Sequence, residues 1–158
     1  RKYVFNPFQL VMNRGHYYLV GNHENYDDMS TLRVDRIAHI TVLNERRKPL
    51  REIKGYQQQR TFNVSQYVKE HIYMFGGESI TVTFKARRSI VNQILDWFDG
   101  NVEFTNITAD NVVCRVRVNH DAFKYWALQY MQSVKVLTPA SLVTEVKAAI
   151  EEGLHQYS

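Results

Sequence analysis

Residues 32–37 place two guanidinium groups, those of Arg33 and Arg36, around the carboxylate of Asp35. A guanidinium offers a planar fork of N–H donors that fits the oxygens of a phosphate or of a carboxylate. In an extended strand, Arg33 and Asp35 share a face and Arg36 points the other way, unless the chain turns there. Two interpretations are open. The arginines bind an anionic ligand, or Asp35 pairs with one of them and holds a corner of the fold, which is the commoner arrangement.

A second candidate group is the run His16, Tyr17 and Tyr18, which follows the turn sequence Arg14-Gly15. Successive strand residues face opposite sides, so one tyrosine is expected to pack inward and the other to face outward. A tyrosine beside arginines can stack on a nucleic-acid base, whereas inward aromatics build the core. His16 is a candidate donor to phosphate, although a lone exposed histidine is more often incidental.

Further basic residues suggest a secondary basic surface, and the chain has a net charge of +4 with a pI near 9.2. Such a surplus favours anionic partners without choosing among them. Part of the set lies in a basic run within residues 45–60, which can equally be a solvated connection, the usual role of charge runs. The residues of this surface are Arg46, Arg47, Lys48, Arg87, Arg88, Arg115 and Arg117.

The sequence carries no arrangement typical of an enzyme or a metal centre. Its single cysteine, Cys114, lies among valines of a predicted strand, so an inert buried thiol is expected. The six histidines lack metal-site spacing, and no phosphate-binding glycine loop or nucleophile elbow occurs. We therefore expect no enzymatic activity, no metal and no cofactor. The apolar runs are too short to span a bilayer, no signal peptide is visible, and one cysteine suits the cytoplasm.

Residues 1–43 show the pattern of short strands separated by turns. Phe8–Asn13 and His16–Gly21 are predicted to form a hairpin, and Ser30–Val34 and Ala38–Leu43 to be further strands. With the strand-like opening residues, this gives five short strands, which fit a small barrel better than a sandwich. Residues 45–60 are interpreted as an exposed connection. A short helix capped by Ser65 then precedes the domain boundary at Gly76-Gly77.

The second half alternates between strand and helix periodicity in the order β-α-β-β-α-β, which is the ferredoxin-like arrangement. A final helix is predicted with Thr138 as its cap and Pro139 at its first position. The fold class is therefore mostly β for residues 1–76 and α+β for residues 77–158. The predicted elements are Ile80–Ala86, Ser89–Phe98, Val102–Ile107, Val112–Val118, a helix through Phe123 and Tyr130, and Ser133–Leu137.

Two segments resemble the signatures of the WYL-domain family of transcriptional regulators. Residues 17–19, Tyr-Tyr-Leu, stand where the family has Trp-Tyr-Leu, and residues 32–37 resemble its Phe-Arg-Leu-Asp-Arg-Ile signature. The second half is similar to the C-terminal extension that often follows a WYL domain. The chain departs from the family at Tyr17, which remains aromatic, and at Ser30, where a basic residue is frequent.

This resemblance implies the effector-sensing part of a bacterial transcriptional regulator. Its SH3-like or Sm-like barrel would bind single-stranded DNA, RNA or a nucleotide, usually downstream of a winged-helix DNA-binding domain. Arg33 would bind the ligand with help from Tyr18, His16, Arg36 and the neighbouring Tyr17, while Asp35 and Arg36 would form a structural salt bridge. The chain opens at Arg1, so an upstream part is expected, as is a homodimer.

Two other classes of protein remain open at this point. One is an RNA-binding module on the ferredoxin-like half, but its central strand, residues 112–118, lacks the stacking aromatics of such modules. The other is a protein-interaction adaptor in which basic residues only steer partners. Salt-sensitive binding of an oligonucleotide or nucleotide would separate the regulator from the adaptor.

Overall fold

The structure is a computed structural model that describes residues 2–158. The chain divides into two compact units, one made of Arg1–Val68 and Met74–Glu78 and the other of Lys69–Tyr73 and Ser79–Ser158. Among residues 2–158, each unit contains one antiparallel sheet, and four α-helices occur. The predicted mixture of a mostly β part and an α+β part is thus confirmed.

The sheet of the first unit is a meander of three strands, β1 (Phe5–Asn13), β2 (His16–His23) and β3 (Ser30–Arg33). Strands β1 and β2 form the predicted hairpin, which turns at Arg14 and Gly15, both with positive φ. Phe8 is an extra residue on β1 that interrupts the pairing between Pro7 and Gln9. Beyond this bulge, the register is regular and places Val11 opposite Tyr18 and Tyr18 opposite Arg33.

The prediction of a strand at Ala38–Leu43 is wrong, because residues 38–43 have no strand partner in the structure. A short 3₁₀ turn, Val34–Arg36, ends β3 and redirects the chain. The apolar residues Ile40 and Val42 are 71% and 91% exposed, so the alternation in this segment does not reflect a buried face. The described first sheet is therefore open and three-stranded, rather than the five-stranded barrel expected from the sequence.

The sequence predicts that the connection over residues 45–60 is exposed, but this connection supplies part of the first core. A 3₁₀ turn, Leu50–Glu52, leads into Ile53, which is fully buried, and Tyr56 packs beside it. Leu50, Ile53 and Tyr56 follow one another at intervals of three residues, which indicates one buried side of this segment. The basic residues around them make the segment resemble an exposed connection instead. The buried members of this core are Val11, Val20, Met29, Ile53, Tyr67 and Met74.

Two buried asparagines connect this sheet to its loops. The Asn22 amide donates to the carbonyl oxygens of Tyr26 (2.7 Å) and Asp28 (2.9 Å), and its Oδ1 accepts from the Asn6 amide at 3.4 Å. Asn6 Oδ1 in turn accepts from the backbone N–H of Lys48 at 2.8 Å. Buried polar groups must be satisfied in this way, so the two side chains fix both the β2–β3 loop and the following connection.

Asn63 directly precedes helix α1 (Val64–Glu70), and its side chain accepts from the Gln66 N–H at 3.1 Å. The predicted cap, Ser65, lies inside the helix instead. After α1 the chain returns to the first sheet, where a Cβ on Gly76 would lie 3.0 Å from the Met29 carbonyl oxygen. The close approach of the Met29 backbone thus leaves little room for a side chain at position 76.

The second unit has the predicted element order. Its elements are β4 (Ser79–Arg87), α2 (Val91–Phe98), β5 (Val102–Ile107), β6 (Asn111–Asn119), α3 (His120–Gln129), β7 (Val134–Thr138) and α4 (Ala140–His155). The strands are arranged β5-β6-β4-β7 and all neighbours are antiparallel. Asn119 caps α3 by accepting from the Ala122 N–H at 3.0 Å. The N-cap of α4 is Pro139 rather than the predicted Thr138, so the helix begins one residue later than predicted, at Ala140.

One face of this second sheet packs on helices α2, α3 and α4 around an aromatic cluster. Phe84, Phe98, Phe123 and Trp126 are fully buried, with ring centroids 4.8–6.1 Å apart. Cys114 is buried in the same cluster, as expected. The residues between the buried ones point to the opposite, open face of the sheet, as strand alternation requires.

The buried position of Ile53 predicts a large cost for its truncation. We expect Ile53→Ala to lower the stability of the first unit by about 2–5 kcal/mol, because the side chain leaves a cavity in a filled core. Amide hydrogen exchange across β1–β3 measures this loss. Val42→Ala is the matched control, since Val42 is 91% exposed. Equal protection in both variants would contradict the core assignment.

Burial also predicts that Cys114 is unreactive. Desolvation raises the pKa of its thiol to about 11, and the thiolate is the form that attacks disulfide reagents. We expect no labelling by an aromatic disulfide reagent at pH 8 in the folded protein and complete labelling in denaturant. Rapid labelling without denaturant would show that the strand β6 face is not covered.

Candidate functional site

The strand register brings three of the predicted site residues to one end of the first sheet. Arg33 is the Cα partner of Tyr18, and His16 lies two residues before Tyr18 on the same strand face. Tyr18 is half-buried and packs against the first core, while His16 is exposed. The inward tyrosine of the pair is therefore Tyr18, and it lies directly beside the arginine.

The turn after β3 forms the centre of the site. Arg33 Nε donates to Asp35 Oδ1 and Arg33 Nη2 donates to Asp35 Oδ2, both at 2.8 Å. This bidentate fork shows that the predicted division of roles, with Asp35 paired to Arg36, is wrong. The physical reason is the 3₁₀ turn, which curls Asp35 back towards the residue two positions before it.

Charges around Asp35 define the electrostatics of the site. The hydrogen bond from Arg33 lowers the pKa of the Asp35 carboxyl, and the charges of Arg33, His16 and Arg36 lower it further. The same hydrogen bond raises the pKa of the Arg33 guanidinium, with a smaller contribution from Tyr18. Three of the other five predicted site residues, Arg33, His16 and Arg36, thus act on the Asp35 carboxylate, and Tyr18 lies beside Arg33. The two arginines outnumber that carboxylate, which leaves the site positive at neutral pH.

Arg33 keeps donors that its ion pair does not use. A guanidinium has five N–H groups, and Asp35 accepts from two of them. Within residues 2–158, the Arg33 side chain makes no further hydrogen bond, and it is 27% exposed. Asp35 therefore orients the guanidinium while leaving part of it available to an anion.

Tyr17, the sixth predicted residue, points to the other face of the sheet. It lies opposite Met12 on β1, and Leu10 is on the same face. These three side chains are 55%, 67% and 54% exposed. Tyr17 therefore belongs to an outer apolar face, defined by Leu10, Met12 and Tyr17, and is separated from the charged group around Asp35.

The predicted basic residues of the connection have mixed positions. Arg47 donates to the Pro7 carbonyl oxygen at 3.1 Å and lies 4.3 Å from the centre of the Phe8 ring, so it holds the bulge of β1. Lys48 is half-buried, and its backbone N–H is bound by Asn6. Arg46 is exposed. The structural role of Arg47 could not be read from the charge pattern.

The basic residues predicted in the second unit also divide. Arg115 pairs with Glu103 at 3.8 Å, Arg117 pairs with the largely buried Glu70 at 3.3 Å, and Arg88 donates to the Thr108 carbonyl oxygen. Arg87 is exposed at the end of β4. Two lysines accompany it. Lys85 and Lys135 are Cα partners on β4 and β7, and strand alternation in these two segments was the signal for them.

Neither a metal cluster nor a membrane span is found in the described part of the chain. Among residues 2–158, no three histidine, cysteine, aspartate or glutamate side chains gather as a metal site would require. None of the helices within that range combines the length and apolar character needed to cross a bilayer.

Comparison with known families assigns both parts of the chain. The WYL domain family matches residues 1–42, and the WCX domain family matches residues 77–154. These two matches define an α+β protein that carries a WYL domain followed by a WCX domain. The resemblance to the WYL-domain family that the two signature segments carry is confirmed by the match over residues 1–42. No curated protein sequence matches it.

Two solved structures resemble the chain over almost its whole length. Proteasome accessory factor B/C (PafBC) of Arthrobacter aurescens is 19% identical, with a TM-score of 0.47 over 98% of this chain. A CRISPR Cas-related protein is 14% identical, with a TM-score of 0.55 over 99% of this chain, which supports the fold. The chain spans 22% of the first protein and 44% of the second, less than half of either.

The Arg33–Asp35 fork predicts a change in proton affinity. In Arg33→Gln, the pKa of Asp35 should rise towards its usual value near 3.8, because the charged donor is lost. Carbon-detected NMR titration of the carboxyl group measures this, with Arg60→Gln as the control of equal charge. Because the pKa of Asp35 is lower in the folded protein than in the unfolded chain, its ionised carboxylate stabilises the folded state at any pH above the unfolded pKa. This stabilisation is lost as the pH falls through the pKa of the folded state. An unchanged Asp35 pKa would contradict the fork.

Proposed function

We propose that this chain is the ligand-sensing region of a bacterial transcriptional regulator and is not an enzyme. Its WYL domain binds a phosphate-containing ligand, either a single-stranded nucleic acid or a nucleotide. The ligand controls an upstream winged-helix DNA-binding domain in a cytoplasmic homodimer. The family resemblance supplies the regulatory setting, and the charged group around Asp35 supports an anionic ligand.

The observation that carries this proposal is the partly used guanidinium of Arg33. Asp35 occupies two N–H groups on one side of the fork, which fixes its plane at low entropic cost when a ligand arrives. The remaining donors, with exposed His16 and Arg36 nearby, match the several acceptor oxygens of a phosphate. Tyr18 adds an aromatic edge next to the same arginine.

Control of a DNA-binding domain then requires a difference in affinity between two states. A ligand that binds both dimer arrangements equally shifts nothing, however tightly it binds. The 3₁₀ turn Val34–Arg36 is suited to transmit such a difference, because it carries Asp35 and Arg36 and leads directly into the exposed segment 38–43. We propose that ligand contact at this turn changes the path of that segment.

The test is fluorescence anisotropy with a labelled single-stranded DNA, a duplex of the same sequence and a cyclic dinucleotide, at two salt concentrations. Arg33→Ala should weaken binding of the true ligand by about tenfold or more, since hydrogen bonds to charged groups contribute about 1.5–3 kcal/mol. Arg33→Lys should retain only part of the affinity, because lysine keeps the charge and loses the fork.

Arg60→Ala is the matched control, because Arg60 is an exposed arginine of the same unit outside the site. It should bind as the unchanged protein does. The proposal fails if the folded protein binds none of the three ligands, or if Arg33→Ala and Arg60→Ala bind equally well.

A second candidate function, a protein-interaction adaptor, is favoured by the outer apolar face of Leu10, Met12 and Tyr17. Exposed apolar groups that lie together often mark protein-binding surfaces. The adaptor hypothesis predicts that the unchanged protein does not bind oligonucleotides. It also predicts that Met12→Ser with Tyr17→Ser abolishes binding of the protein partner. The RNA-binding alternative finds no support in the aromatic residues of the second sheet, whose central strand β6 carries none.

A further inference from the structure

The open face of the second sheet carries a concentration of positive charge. Alternation along β4 brings Lys85 and Arg87 to this face, and alternation along β6 and β7 adds three more basic residues. All of these side chains are exposed. The five basic residues of this face are Lys85, Arg87, Arg115, Arg117 and Lys135.

Carboxylates neutralise only part of this face. Glu103 and Glu70 pair with Arg115 and Arg117, as described above. Lys85, Arg87 and Lys135 have no carboxylate within ion-pair distance among residues 2–158. We call these three the lysine–arginine strip.

The strip contains an arrangement that costs stability on its own. Lys85 and Lys135 are directly opposite each other on neighbouring antiparallel strands. Like charges in that position are destabilising, whereas opposite charges stabilise a strand pair. An anion between the two ammonium groups removes this repulsion, so binding of an anion at this position is favourable.

The spacing and chemistry of the strip favour a phosphate chain over a protein surface. Lys85 and Arg87 are two residues apart, so their Cα atoms are separated by about 7 Å along the strand, and Lys135 lies beside Lys85. Buried aromatic residues are among the main anchors of protein interfaces, and neither β4 nor β7 exposes an aromatic residue on this face. The absence of aromatics there equally excludes base stacking.

We propose that the lysine–arginine strip binds the phosphate backbone of a nucleic-acid strand without regard to base sequence. Lys85 and Lys135 hold one phosphate between them, and Arg87 contacts the next along β4. This site is separate from the charged group around Asp35 and does not depend on it. Its contribution to affinity is electrostatic and therefore falls steeply with salt.

The experiment uses the whole chain with labelled oligothymidylate and oligoadenylate over a series of salt concentrations. Lys85→Ala with Lys135→Ala should reduce the magnitude of the slope of log K against log salt by about 0.7, the contribution of one neutralised phosphate of a single strand. The affinity deficit should then be about 2.6-fold larger at 50 mM than at 200 mM salt. The affinities for oligothymidylate and oligoadenylate should decrease by the same factor.

Lys54→Ala with Lys147→Ala is the matched control. These are also exposed lysines, but each is already near a carboxylate, Asp28 at 3.8 Å and Glu151 at 3.7 Å. The control pair removes the same charge and should leave the slope unchanged. Lys85→Arg with Lys135→Arg should restore the slope, which separates loss of charge from loss of folding.

The proposal is overturned if the two alanine pairs have the same slope, or if the loss depends on the base. It is also overturned if the Lys85–Lys135 pair affects binding of polyglutamate and not of the oligonucleotides, because an acidic protein would then be the partner. Arg33→Ala measured alongside keeps the two sites distinct. If the proposal for Arg33 is wrong, the lysine-to-alanine pair still changes the salt slope. If the proposal for the lysine–arginine strip is wrong, Arg33→Ala still weakens binding.

Discussion

The buried amide of Asn22 is the interaction on which the arrangement of the first unit depends. It holds the carbonyl groups of Tyr26 and Asp28, so it fixes the length and path of the loop that leads into β3. The start of β3 sets its register against β2, and that register places Arg33 opposite Tyr18. A slip of one residue would turn Arg33 to the outer apolar face, because strand side chains alternate. The charged site is therefore a consequence of a hydrogen bond made at the other end of the strand pair.

The site also shows that the two interpretations of the arginines do not exclude each other. Asp35 takes two donors of Arg33, as a structural salt bridge would, and leaves the others unused. An exposed pair of this kind adds little to stability, so its main effect is on the orientation of the side chain. Arg36 is the arginine that remains outside the fork. The 3₁₀ turn decides this division, because it is the local geometry that lets residues 33 and 35 meet.

How far the sequence predicts the fold depends on how local the signals are. In the second unit, each strand and helix has its own periodicity, so the order β-α-β-β-α-β and most boundaries follow from the residues. In the first unit, the hairpin is equally local and was predicted. The segment 38–43 has the alternation of a strand, yet pairing depends on a partner edge, which no local pattern encodes. Ile53 shows the opposite error, because its charged neighbours predict an exposed segment although the side chain is buried in the core.

In the candidate site, too, the local features are predicted from the sequence and the contacts between strands are not. Residue types and the family signatures identify Arg33, Tyr18 and Asp35, but only the register and the turn decide which side chains meet. Both sheets bury one face and expose the other, as antiparallel sheets commonly do. The exposed face of the first sheet presents Leu10, Met12 and Tyr17, whereas the second presents lysines and arginines. Alternation within each strand predicts which residues share a face. It does not predict that Lys85 and Lys135 become partners, because their strands are distant in sequence and pair only in the folded sheet.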